Sequence, residues 1–146
     1  MANKAFVFSK RLFDNYMREH GICDTNLPPD MAVVSIGEPE ESEHYFQDSP
    51  QVLNIDFWDV NDYEVEGVKG LTDEQAATIH DFISNNIGKD FYIHCRAGVS
   101  RSQAVGRFLS DIYGYEVVSV AQNGAFPNQH VLSLLKQKYR DTELSI

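Results

Sequence analysis

Four short stretches of the chain are dense in β-branched and aromatic residues: AFVFS (5–9), MAVVSIG (31–37), QVLNIDF (51–57) and DFYIH (90–94). Their length and composition predict strands. Between the last two, apolar residues recur at helical spacing from Leu71 to Ile87, with Ala76, Ile79, Phe82, Ile83 and Ile87 on one face and His80 on the exposed side. Thr72 and Gln75 stand at capping-box spacing, and Gly88 is placed to end that helix. A second helix is predicted over Gln103 to Tyr113, with Val105, Phe108, Leu109 and Ile112 inward and Gly114 as its stop. A third runs from Gln129 to Tyr139, where Val131, Leu134, Leu135 and Lys138 repeat at helical spacing behind the start signal Pro127-Asn128. Strands interspersed with helices predict an α/β fold: a central mixed sheet of about four to five strands flanked by helices. No repeat, low-complexity tract or long linker interrupts this pattern, so residues 1–146 are expected to form a single domain.

Composition agrees with a globular chain of this size. Hydrophobic residues are 42%, aromatics 12% and charged residues 23% of 146. The longest candidate apolar stretches, Met31 to Ile36 and Ala104 to Ile112, are interrupted or short and fall well below the roughly 20 residues needed to span a bilayer. Ala5 to Phe8 is too short for a secretory leader core. A net charge of −10 repels nucleic-acid backbones and anionic membrane surfaces unless a local basic patch overrides the global field, so any anion site must be local and preorganised. The two cysteines, Cys23 and Cys95, have neither CxxC nor zinc-ligand spacing; no metal, cofactor or disulfide is expected, and a reducing, cytoplasmic setting fits. Cys23 reads as an inert, small core residue.

Cys95 has a different context. The strand DFYIH leads through HCRAGVSRS into a helix, and a strand that turns through a glycine-bearing loop into a helix aims several N–H groups and the positive helix end at one point. Cys95 begins that loop, where the helix end and Arg101 would favour thiolate, the attacking form. Arg101, six residues on, has the planar fork that clasps two phosphoryl oxygens. Gly98 permits a positive φ and a close backbone approach to an anion. Ser102 can offer its hydroxyl to the cysteine sulfur, which would help a thiolate leave when a phospho-cysteine breaks down.

The run His94-Cys95-x5-Arg101-Ser102 resembles the signature of the cysteine-dependent protein tyrosine phosphatase superfamily, and HCRAGVSRS is especially similar to its dual-specificity branch. The resemblance covers roughly Met31 to Tyr139. It implies a phosphatase-like fold with a strand–phosphate loop–helix active site, and hydrolysis of phosphomonoesters on phosphoproteins through a phospho-cysteine intermediate. Arg96, Ala97, Gly98, Val99, Ser100 and Arg101 would then bind substrate. His94 would orient the loop, and Asn128, an N-cap by position, would also brace it. The family's general acid lies just after a strand upstream of the cysteine, a place held here by VLNIDFWDVND (52–62). Asp59 aligns best, with Asp62 second and Asp56, inside the strand-like alternation, third. Trp58 reads as core, or as a cover for the closed site. Lacking the lysine-bearing recognition loop of large tyrosine-specific members, the chain is expected to have a shallow pocket taking phosphotyrosine and also phosphoserine or phosphothreonine.

Two other readings stand beside this one: a catalytically silent phosphate-binding module, and an enzyme acting on RNA 5′-triphosphate or a phosphoinositide. The family's silent members lack the cysteine, arginine or acid, all present here. Lipid-directed members carry lysines in the loop where this chain has Ala97 and Val99, and the charge of −10 disfavours RNA.

Overall fold

The computed structural model describes residues 2–40, 43–120 and 124–144. In chain order these form β1 (Lys4–Ser9), α1 (Lys10–Glu19), β2 (Met31–Gly37), β3 (Val52–Asp56), β4 (Glu64–Val65), β5 (Val68–Lys69), α2 (Asp73–Asn86), β6 (Asp90–Cys95), α3 (Arg101–Tyr113), β7 (Glu116–Ser119) and α4 (Gln129–Leu144). Five strands make the main sheet in the order β3-β2-β6-β1-β7, and every neighbouring pair is parallel. The mixed sheet expected from the sequence is thus corrected to a parallel one, while its α/β character and strand count hold. Among the described residues, antiparallel pairing occurs at a lone Ser49–Val52 bridge and in the separate β4–β5 hairpin, whose turn residues Glu66 and Gly67 both have positive φ (51° and 83°), as two-residue hairpin turns demand.

A parallel sheet must be covered on both faces, and β2 shows why: all seven of its residues are buried. One face packs under α1, where Phe13 and Met17 join Phe8, Met31, Val33 and Val52. The opposite face packs under α2, α3 and α4, with Ile79, Ile83, Phe108, Leu109, Val131 and Leu135 against Ala32, Val34, Phe91 and Ile93. Because side chains alternate along each strand, Ala32 and Val34 serve one core while Met31 and Val33 serve the other.

The helices form for local reasons. Ser9 ends β1 and caps α1, accepting from the Leu12 N–H at 3.2 Å. The capping box of α2 is present in both directions, Gln75 N–H to Thr72 Oγ1 at 3.0 Å and Thr72 N–H to Gln75 Oε1 at 3.1 Å. α3 stops at Gly114, in the left-handed region at φ 73°. Several expectations are corrected. His80 is buried against Phe108 and Tyr139, because it shares the i, i+3, i+4, i+7 stripe of Ala76, Ile79 and Ile83. Ile87 is instead 41% exposed, since the backbone turns extended there and leaves the helical face. Cys23 is exposed rather than core, in the turn that follows α1. No helix among the described residues is long and apolar enough to cross a membrane.

With all five strands parallel, their carboxyl ends Ser9, Gly37, Asp56, Cys95 and Ser119 lie along one edge of the sheet, where α/β folds place their ligands.

Candidate active site

Residues 95–101 leave the carboxyl end of β6 and enter α3. Gly98, at the centre of this loop, has φ 73°, and a Cβ there would sit 2.6 Å from the backbone carbon of Phe8 and the nitrogen of Ser9. The positive φ expected of Gly98 is present, and the close approach that requires glycine here is to the end of β1. Two more contacts fix the loop on that side: the Lys10 N–H donates to the Arg96 carbonyl at 3.1 Å, and buried Gln103 donates to the Gly98 carbonyl at 3.1 Å and to Ser119 Oγ at 2.9 Å.

The thiol of Cys95 is 2% exposed, and its sulfur lies 3.0 Å from Oγ of the fully buried Ser102. Arg101 is buried as well. Its Nη1 donates to the carbonyls of Phe57 (2.7 Å) and Gly37 (3.3 Å), and Nη2 lies 3.5 Å from Glu38 Oε1. Its Nε is buried with no partner. A buried guanidinium N–H without an acceptor is costly, and an anion in the loop is the kind of group that would satisfy it. Glu38 also pairs with exposed Arg96 at 3.2 Å, so one carboxylate holds both loop arginines. Ala97 is exposed, and Val99 and Ser100 are half-buried.

Across the loop lies Asp59. Its Oδ1 accepts from Ser100 Oγ at 2.9 Å and from Asn128 Nδ2 at 2.7 Å. Asn128 also caps α4, its Oδ1 accepting from the Val131 N–H at 3.0 Å, and its own N–H donates to the Ser100 carbonyl at 3.1 Å. The cap and the brace expected of Asn128 are both present. Of the three acids, only Asp59 touches the loop: Asp56 Oδ1 accepts from His44 Nε2 at 2.8 Å, and exposed Asp62 bonds the N–H of neighbouring Tyr63. Trp58 is half-buried, its N–H given to the Lys69 carbonyl. Arg107 points to solvent and pairs with Asp111, as its place on α3 predicts.

His94 is 1% exposed beneath the loop, with Nδ1 3.2 Å from the Cys95 carbonyl and Nε2 2.6 Å from Ser35 Oγ. Burial pushes its pKa down to about 4; the Lys10 charge adds to that, while the Cys95 carbonyl and Asp14 oppose it. The ring is neutral at ordinary pH.

Sequence reasoning brought Cys95, Arg101, Ser102, Asp59, His94 and Asn128 to one place, and the structure groups them. It missed Glu38, Ser35, His44 and Gln103. Ser35 and Glu38 lie at the carboxyl end of β2, and in a sheet recognised as parallel that edge is where polar residues deserve weight. Searched against family models, curated proteins and solved structures, the chain finds no match in any of them.

Proposed function

We propose that this chain is a cysteine-dependent phosphatase of dual-specificity type, hydrolysing phosphomonoesters on phosphoproteins, with a phosphatase-like strand–phosphate loop–helix site at residues 90–113. The observation that carries this reading is one loop that joins a cysteine sulfur, 3.0 Å from a serine hydroxyl, to a buried arginine whose Nε lacks a partner. In the reaction, Cys95 attacks phosphorus in line and forms the phospho-cysteine. Arg101 and the loop N–H groups hold the equatorial oxygens, and Asp59 gives its proton to the departing oxygen. Water then cleaves the phosphorus–sulfur bond, Asp59 taking a proton from it, and the sulfur leaves as thiolate toward Ser102. Two unpaired cysteines suit a reducing, cytoplasmic setting.

The test is turnover of a small aryl phosphate, with phosphotyrosyl and phosphothreonyl peptides alongside. Cys95→Ser is expected to abolish turnover while still binding vanadate, because the hydroxyl is a far weaker nucleophile in the same loop. Undiminished activity in that variant would end the proposed mechanism.

A further inference from the structure

Asp56 and His44 have no role in the chemistry above, yet both are joined to it. Four polar contacts run in line from the Asp56 carboxylate to the loop. Asp56 Oδ1 meets His44 Nε2 at 2.8 Å, and His44 Nδ1 meets Ser35 Oγ at 2.7 Å. Ser35 Oγ meets His94 Nε2 at 2.6 Å, and His94 Nδ1 meets the Cys95 carbonyl at 3.2 Å. Both ends, a carboxylate and a carbonyl, only accept. Four contacts therefore need four hydrogens, whereas neutral His44, Ser35 and neutral His94 supply one each. The chain is complete only when it holds one added proton.

Position decides which group holds it. His94 is sealed under the loop, its ring tilted against that of Phe13 with centroids 4.5 Å apart, and Lys10 and Asp14 of α1 act on it in opposite senses. His44 faces a carboxylate, and its side chain and that of Asp56 reach solvent (15% and 39% exposed). The added proton makes His44 an imidazolium donating to both Asp56 and Ser35. Ser35 then donates to His94 Nε2, and His94 carries its hydrogen on Nδ1, toward the Cys95 carbonyl.

When that proton goes to water, three hydrogens remain and one contact must fail. A bare His44 nitrogen facing a full negative charge is worse than a bare His94 nitrogen facing a neutral carbonyl, and the charge-assisted bond is the stronger one. The loss therefore falls at the far end, already the longest contact. Ser35 turns to donate to His44, His94 holds its hydrogen on Nε2, and its bare Nδ1 faces the Cys95 carbonyl.

We infer that Asp56, His44, Ser35 and His94 form a hydrogen-bond relay in which the charge on His44 selects the tautomer of His94 and so holds or releases the first peptide of the Cys95–Arg101 loop. His44 is a positioning residue, and the relay regulates the site by pH; its effect on activity rests on the phosphatase reading, while the tautomer change does not.

The full chain with 15N-labelled histidine tests this directly. As pH rises through the titration of His44, the imidazole nitrogen spectrum of His94 is expected to change from an Nδ1–H to an Nε2–H form at the same midpoint. Ser35→Ala should abolish that change while His44 still titrates. A wild-type His94 that keeps one tautomer throughout, or a Ser35→Ala variant that still follows His44, overturns the relay. Alkylation of Cys95, followed on its own peptide because exposed Cys23 also reacts, should show a step at the His44 midpoint that Ser35→Ala loses. A tautomer change without that step overturns the coupling to the loop. Absent aryl phosphate turnover would sink the phosphatase reading alone, with the nitrogen spectra still deciding the relay.

Discussion

Replacing Asp59 with asparagine separates its position from its chemistry. Its Oδ1 accepts two bonds, from Ser100 Oγ at 2.9 Å and Asn128 Nδ2 at 2.7 Å, and an asparagine oxygen in the same place accepts both. Only the charge assistance is lost, and at an exposed carboxylate that amounts to about 1 kcal/mol for the pair, a Tm change of roughly 2–4 °C. Removing a general acid costs a factor of ~10²–10⁴ in rate, or about 3–5 kcal/mol in the barrier. The effect on the barrier thus exceeds the effect on the fold several-fold. Steady-state kcat should fall by roughly 10²–10³ on phosphotyrosine, whose phenolate leaves poorly, and change little on an activated aryl ester that needs no proton. Equal losses on both substrates would mean that Asp59 only holds Ser100 and Asn128 in place. An unchanged phosphotyrosine rate would move the acid elsewhere, with Asp62→Asn as the next variant.

Gly98→Ala should destabilise the protein by about 3 kcal/mol or more, combining a left-handed residue with overlap against the immobile Phe8–Ser9 backbone. Gly114→Ala, at the same φ of 73° but with nothing within 4 Å, should cost only about 1–2 kcal/mol. Equal urea midpoints for the two variants would show that packing against β1 contributes nothing. His94 gives stability a pH dependence of known sign: its pKa falls from 6.5 to about 4 on folding, so the unfolded chain binds the proton first. Its contribution is full above pH 6.5 and is lost as pH falls toward 4, roughly 3 kcal/mol across that window. His94→Asn should lack that part of the slope in urea titrations across the window, and a slope equal to wild type would contradict the assignment.

Much of this arrangement was legible because its signals are local. The capping box at Thr72 and Gln75, the stop at Gly114 and the spacing from Cys95 to Ser102 each lie within a few residues, and local hydrogen bonds or sterics enforce them. What was missed depends on tertiary contact. α1 buries only Phe13 and Met17 among its ten residues, too narrow a stripe to stand out against its charged neighbours. β7 is four residues long and becomes a strand because β1 offers it an edge. His80 is polar, yet its position is in phase with the buried stripe, and phase rather than polarity decides its burial. Glu38 and His44 sit in stretches with no periodicity, and only the folded sheet brings them to Arg101 and Ser35.

The position of β1 bears on how the molecule comes into being. It occupies an inner place in the sheet between β6 and β7, with Ala5 beside Phe91 and Val117. A chain emerging from the ribosome therefore carries its first strand unpaired until nearly the whole sheet has been made, and the loop that rests on Phe8 and Ser9 has no floor before then. A chain stalled before residue 95 holds Asp59 but neither the Cys95 thiol nor Arg101, so the groups of the candidate site and the strand beneath their loop come together only once β6 has emerged. The Cys95 loop can therefore be ordered only after β6 has found β1, and until then the waiting apolar strand is the segment most in need of a chaperone.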